Sequence, residues 1–187
     1  HQISDDWSPP PGFTRQSWDL DGLLGQDPLW GRFWENPGLS PPERDMVLRA
    51  RALARDCIRQ AEPDYGLIHA DMLRENVLID GAHLNLIDFD DSGYGHRLFD
   101  VATTLLKNRA EPDYADLEHA LLDGYRSQRP LDTELLPTFL MIRALTYLGW
   151  IIPRIDEPGA QSRQKRFLKD ALPLCASYVA NAAQRSK

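Results

Sequence analysis

Apolar positions recur along this chain with two periods. Between Ser40 and Glu62, the residues Met46, Ala50, Leu53, Ala54, Cys57, Ile58 and Ala61 share one face at helical spacing. Arg44, Arg49, Arg51, Arg55 and Arg59 fall largely off that face and predict a solvated rim. Ser40-Pro41-Pro42-Glu43 predicts the helix start, with Ser at the N-cap, Pro in the first turn and Glu three residues on. After Pro63 the apolar residues come in short runs. Gly66 to His69, Asn76 to Ile79 and Leu84 to Ile87 predict strands, the last two joined across Asp80-Gly81, whose tolerance of positive φ marks a hairpin turn. From Arg97 the helical period returns: Arg97 to Asn108, Asp113 to Gln128, Thr133 to Ile152 with a kink at Pro137, and Ala160 to Ala183 interrupted near Pro173.

The first forty residues carry no such period. They hold Pro9-Pro10-Pro11-Gly12, Pro37-Gly38 and four tryptophans, Trp7, Trp18, Trp30 and Trp34. This reads as an irregular segment whose rings pack onto a core rather than caging a cation, with one short helix around Pro28 to Glu35. The expected fold class is therefore α+β and mostly α, with a small β-hairpin set into a helical body.

Charge and composition narrow the function. With 21 Lys and Arg against 28 Asp and Glu the net charge is −7, which argues against a grip on nucleic acid or an anionic membrane. The longest apolar stretch, Phe139 to Ile152, is interrupted by Arg143 and falls short of the roughly 20 residues of a membrane span. Cys57 and Cys175 form no CxxC pair, so two buried thiols in a reducing, cytoplasmic setting are expected. The opening His1-Gln2-Ile3-Ser4 has no initiator Met, which leads us to expect part of a longer protein.

The unusual polar residues gather in one stretch, Leu67-Ile-His-Ala-Asp-Met-Leu-Arg-Glu-Asn-Val-Leu-Ile79, followed beyond the hairpin by Leu86-Ile-Asp-Phe-Asp-Asp91. His69, Asp71 and Asn76 lie between two apolar runs, and Asp88 ends a third. Pairing of those runs would bring an amide and two or more carboxylates together. Such hard oxygen donors suit Mg²⁺ and substrate phosphates, and a carboxylate outside the metal shell can take a proton from an attacking hydroxyl. Metal-assisted phosphoryl chemistry follows, and the alternative is a set of Asp and Asn residues that cap turns. A metallohydrolase would need more histidines near the carboxylates than His69 and His96.

The spacing His69-x-Asp71-(x)4-Asn76, with Asp88 beyond a hairpin, resembles the paired catalytic and metal loops of kinase-like folds. The wording Ile-His-Ala-Asp-(x)4-Asn-Val-Leu-Ile, then Leu-Ile-Asp-Phe-Asp, is similar to the aminoglycoside phosphotransferase, choline kinase and type II homoserine kinase group. Asp-Phe-Asp where protein kinases carry Asp-Phe-Gly favours the small-molecule branch. Arg97-Leu-Phe-Asp100-Val-Ala-Thr also resembles the stretch that follows the metal loop there.

The resemblance implies Asp71 as catalytic base, Asn76 and Asp88 as holders of Mg²⁺ on ATP, His69 as a brace, and Asp100 as a buried acceptor fixing the loop backbone. Asp90 has three readings: assisting the metal, facing a cationic acceptor, or ending the strand. Arg74 is a further candidate for phosphate or an acidic substrate. Acceptor selectivity would lie in later helices, with Tyr147, Trp150, Asp156 and Glu157 as candidates.

The sequence before His69 has neither a Gly-rich phosphate loop nor a strand Lys paired with a helix Glu. The expectation is thus a kinase-like C-terminal lobe over 1–187, without the N-terminal ATP-binding lobe. Residues 1–39 form the Pro/Trp-rich lead-in, 40–62 a helix, 66–91 the catalytic and metal loops, and 97–187 the helical subdomain. Its function would be ATP-dependent phosphorylation of a small-molecule hydroxyl, such as an aminoglycoside, amino-alcohol or homoserine-like acceptor, and the lobe alone would be inactive. The other readings are a protein Ser/Thr kinase of the same fold, or a non-catalytic lobe that binds a protein or forms a homodimer through the surface an N-lobe would cover.

Overall fold

The computed structural model describes residues 1–81 and 83–185. Its elements run α1 (Gln2–Asp5), β1 (Ser17–Trp18), α2 (Leu20–Leu24), α3 (Pro41–Ala61), β2 (Tyr65–Ile68), β3 (Val77–Asp80), β4 (His83–Leu86), β5 (Gly93–His96), α4 (Arg97–Asn108), α5 (Tyr114–Arg126), α6 (Leu136–Trp150) and α7 (Ala160–Arg185). The chain divides into two compact units, residues 1–19 with 63–136, and residues 20–62 with 137–187.

The first unit holds both sheets. β5 is the centre of a three-stranded sheet, antiparallel to β2 and parallel to β1, with Ile68 opposite Gly93 and Trp18 opposite Gly95. Glycine at these positions makes room for the crossing. A Cβ on Gly95 would stand 2.5 Å from Ile68 Cδ1 and 2.7 Å from Trp18 Cβ, and one on Gly93 would run into the Gln16 carbonyl oxygen. Neither β1 nor β5 was expected from the pattern, because Gly-Tyr-Gly-His carries no alternation and the partners are distant in sequence. β3 and β4 pair as a separate antiparallel ladder from Val77–Leu86 to Asp80–His83, with Gly81 at φ 58° after Asp80. Trp18, fully buried, stacks on Phe99 of α4 at 5.4 Å. That contact ties the lead-in to a helix whose first turn is buried on every side.

The second unit is helical. In α3 the buried seam is Val47, Ala50, Ala54 and Ile58, so Met46, Leu53 and Cys57 are only half-buried. At its start the Ser40 backbone N–H and hydroxyl both donate to Glu43 Oε2, at 2.8 and 2.6 Å, which satisfies the capping donor as expected. The arginines do not all form a solvated rim. Arg51 donates to the carbonyls of Leu24 and Gly25 at 2.8 and 2.7 Å, and Arg55 to Leu24 at 2.7 Å. These close the carbonyl end of α2, a helix too short for its own ladder to do so.

Five further expectations are corrected. Pro28 to Glu35 is irregular except for a single 3-10 turn, Phe33–Glu35. Pro137 stands at the second residue of α6, where a missing N–H costs no helical bond, and so makes no kink at mid-helix. Pro173 does not interrupt α7, because burial of Phe167, Ala171 and Cys175 around it outweighs the roughly 3 kcal/mol of an internal proline. The helical stretch Leu136–Arg154 is long and apolar enough to cross a membrane by length and composition, and 67% of it is buried within the protein. Its Arg143 is fully buried, with the guanidinium 4.5 Å from the rings of both Trp30 and Tyr147. Of the lead-in rings, Trp7 departs from core packing at 42% exposed.

Candidate functional site

The sequence-predicted polar residues His69, Asp71, Asn76, Asp88 and Asp100 all belong to the first unit. The loop after β2 is held from beneath by Asp100, in the first turn of α4. Its carboxylate accepts the His69 backbone N–H at 2.8 Å and the Ala70 N–H at 2.7 Å, one oxygen each. Asp100 is 5% exposed, so these are charge-assisted bonds in a poorly solvated place. They hold Ala70 at φ 67°, a left-handed conformation that costs a non-glycine residue about 1–2 kcal/mol. Thr104, one turn further along α4, donates to the Met72 carbonyl at 3.0 Å and fixes the loop beyond Asp71.

His69 is buried and works as a brace. Its Nε2 lies 2.9 Å from the Ile87 carbonyl, which must accept, so Nε2 carries the proton and Nδ1 accepts the Asp71 N–H at 3.3 Å. One imidazole thereby joins the loop before Asp71 to the residue before Asp88. Asn76, 6% exposed, makes the second link: its amide nitrogen donates to the Asp71 carbonyl at 2.9 Å and to Asp71 Oδ2 at 3.2 Å, while its backbone carbonyl accepts the Ile87 N–H at 3.1 Å. With the amide nitrogen engaged, the amide oxygen of Asn76 remains as a hard donor. Asp88 follows Ile87 directly, is exposed, and sits at φ 65°. Two non-glycine residues in left-handed backbone thus flank the polar cluster, a concentration of strain typical of working sites.

Residues that the sequence reading did not single out fix the far side. The Asp91 carbonyl accepts from the Trp18 indole at 2.8 Å and the Gln16 amide at 2.9 Å, and the Asp90 carbonyl accepts from Arg15 at 3.1 Å. A short polar run ending in a tryptophan carries no periodic signal, so only the fold reveals it. The Asp90 side chain is exposed. Arg74, 72% exposed, donates to Asn108 Oδ1 at 2.7 Å and lies 3.7 Å from Glu111.

The acceptor candidates belong to the second unit. Tyr147 stacks on Phe167 at 4.9 Å and accepts a hydrogen bond from Arg143 at 3.0 Å, which gives it a packing role. Trp150 lies under the Arg154 guanidinium at 4.2 Å. Glu157 pairs with Arg163 at 2.8 Å, and Asp156 is exposed on the same polar depression, Ile155 to Ser162.

The donor set of the first unit is two carboxylates and an amide, all hard oxygens. Among the described residues no group of three His, Cys, Asp or Glu side chains encloses a metal. The oxygens of Asn76 and Asp88, hard donors too few for a closed all-protein cage, fit a cation that keeps waters and shares substrate oxygens, as Mg²⁺ does.

Comparison with known proteins agrees with this chemistry. Residues 1–131 match the Phosphotransferase enzyme family (APH). Homoserine kinase of Pseudomonas aeruginosa is 38% identical over 120 residues, 57% of this chain and 37% of the relative. The structure of a microcompartment-associated aminopropanol kinase superposes with a TM-score of 0.86 at 29% identity, covering 97% of this chain and 59% of the other. An amicoumacin kinase in complex with AMP-PNP and Ca²⁺ shares the fold, with a TM-score of 0.67 at 21% identity over 92% of this chain and 55% of the other. The chain thus spans well under two thirds of the length of these proteins. A mostly helical α+β chain with a kinase-like fold, matched by the family over its polar cluster, belongs to the phosphotransferase enzyme family.

Proposed function

We propose that the chain is the C-terminal lobe of an ATP-dependent kinase that phosphorylates the hydroxyl of a small amino-alcohol. The observation that carries this reading is the Asp100 clasp on His69 and Ala70, together with the Asn76 bond to Asp71, which presents the Asp71 carboxylate from a braced loop. Asp71 orients the acceptor hydroxyl and takes its proton as the oxygen attacks the γ-phosphorus, while the bond to the β-phosphate oxygen breaks and ADP leaves. Asn76 and Asp88 hold Mg²⁺. When bound, the ion neutralises charge on the β- and γ-phosphates. His69 keeps Asp71 and Asp88 in register, and Asp90 borders the site from the outer side. Arg74, drawn to Asn108 and Glu111, is a secondary phosphate contact. Support for an amino-alcohol comes from the homoserine and aminopropanol kinases, whose names each specify such an acceptor.

An N-terminal lobe would complete the ATP clamp, and positioning supplies most of the rate in phosphoryl transfer. The lobe alone is accordingly expected to give trace turnover at most. One observation favours a docking role beside this: Leu78, Ile79, Leu84 and Leu86 on the β3–β4 hairpin are 43–75% exposed. In a longer protein an N-lobe would cover this face, and in the isolated chain a second copy would do so. The test is calorimetric titration of the chain with Mg²⁺ and ATP beside Asp88→Ala. Weak binding is expected in the parent and none in the variant, and equal binding by both would refute the metal assignment.

A further inference from the structure

We propose that His1 is a positioning residue, with its ring, backed by Tyr125, holding Asp100 in the orientation that clasps the His69–Ala70 backbone. The use of that clasp in catalysis rests on the reading of Asp71 given above, whereas the clasp itself rests on geometry alone.

His1 Nε2 lies 3.0 Å from Asp100 Oδ2, the same oxygen that accepts the His69 N–H. His1 Nδ1 lies 2.6 Å from the Tyr125 hydroxyl. An ionised carboxylate only accepts, so Nε2 must carry a proton toward Asp100. In the neutral ring Nδ1 then accepts, and Tyr125 donates its O–H. Burial pushes the Tyr125 phenol upward, which keeps that O–H protonated. The side chains of His1 and Asp100 are 12% and 7% exposed, so water competes poorly for either bond.

A single helical turn has no stability of its own, and α1 is four residues long. It is docked instead by charge. Asp5 pairs with Arg97 and, at 2.7 Å, with Arg129, and both arginines also bind Asp64. The Ser4 hydroxyl closes the turn on the His1 carbonyl at 2.8 Å. The ion network thus fixes the turn, the turn fixes His1, and His1 donates to the Asp100 oxygen that accepts the His69 N–H. Without His1 that oxygen loses a donor, and the left-handed Ala70 loses part of what holds it.

His1 also lines a cavity of about 450 Å³, bounded by Ser4, Asp100, Thr104 and Tyr125 among others. Truncating His1 would open to this space the place its ring occupies beside Asp100, where free imidazole can enter and restore the missing donor.

The experiment is amide hydrogen exchange read residue by residue on the 187-residue chain, with no nucleotide present. His1→Ala is expected to speed exchange at His69 and Ala70 by about tenfold, and Tyr125→Phe by less, with the amides around Ala171 and Cys175 unchanged. Millimolar imidazole should restore protection in His1→Ala and leave Tyr125→Phe unaltered. Unchanged exchange at His69 and Ala70 in His1→Ala would overturn the proposal. So would faster exchange that rises in parallel across both units, or that imidazole fails to reverse. Equal ATP binding by the parent and Asp88→Ala, together with the local, imidazole-reversible effect, would overturn the metal assignment and leave this proposal standing.

Discussion

Removing the Asp100 carboxylate should be among the most damaging single changes to the first unit. Asp100→Ala leaves the His69 and Ala70 N–H groups without their acceptor in a place that is 5% exposed. A hydrogen bond to a charged group is worth about 1.5–3 kcal/mol, so losing two costs about 3–6 kcal/mol, against a total stability of order 5–15 kcal/mol. Asp100→Asn keeps the shape and one accepting oxygen, but it turns an NH₂ group toward the second N–H and forfeits the charge, for roughly half that loss. Urea unfolding followed by near-ultraviolet circular dichroism reads this directly, since Trp18 stacks on the neighbouring Phe99. With a slope of about 2 kcal/mol per molar, the midpoint should fall by roughly 1.5–3 M for Asp100→Ala and about half as far for Asp100→Asn. An unchanged midpoint at unchanged slope in Asp100→Ala would refute the argument that these bonds support the loop.

Other consequences are open to measurement. Burial holds the His96 imidazole below its ordinary value, so as pH falls the unfolded chain binds a proton before the folded one does. Stability should therefore be intact above about pH 6.5 and decline below it, and His96→Gln should flatten the difference between midpoints taken at about pH 7.5 and 5.5. Gly93→Ala should destabilise more than Gly95→Ala, because the first Cβ meets the backbone oxygen of Gln16 at 2.2 Å, whereas the nearest atom to the second is the rotatable Ile68 Cδ1 at 2.5 Å. Overpacking of this kind costs about 1–3 kcal/mol, and thermal unfolding of the two variants ranks them. A reversed order would show that Gln16 yields more easily than Trp18 and Ile68.

Much of the site was legible because its chemistry is local. His69, Asp71 and Asn76 lie within eight positions of one another, and the apolar runs around them predict strands that the structure places within a residue or two of β2, β3 and β4. Helix α4 falls at the expected Arg97 to Asn108 because its period is strong. What stayed hidden depends on partners far along the chain. β5 exists because its glycines admit Trp18, Ile68 and the Gln16 carbonyl, and a glycine announces room without naming the occupant. Arg51 and Arg55 lie off the apolar face of α3, yet they serve as caps for α2, a helix too short to show a period. Pro173 misled because a buried seam can override a local breaker.

The first turn of α4 explains how charge can be buried so close to a strained loop. Arg97 and Asp100 stand three residues apart, are 4% and 5% exposed, and hold different segments. Asp100 turns to the loop backbone, while Arg97 turns to Asp5, to Asp64 at 2.8 Å and to the Tyr65 carbonyl at 3.0 Å, lying over Gly66 where any side chain would collide. One helical turn therefore anchors both the loop after β2 and the segment that carries His1. The planar fork reaches Asp64 and the Tyr65 carbonyl from one nitrogen and Asp5 from the other, a span that a single ammonium nitrogen does not match, so Arg97→Lys is not a conservative change. It should lower the unfolding midpoint more than Arg129→Lys, whose guanidinium binds the same two carboxylates from a side chain 19% rather than 5% exposed. Because Asp5 is held below the usual carboxylate range chiefly by its hydrogen bond to Arg129, the network is whole above about pH 4 and weakens as Asp5 protonates below that. Equal midpoints for the two lysine variants would mean that burial of the Arg97 fork adds nothing beyond what the more exposed Arg129 contributes.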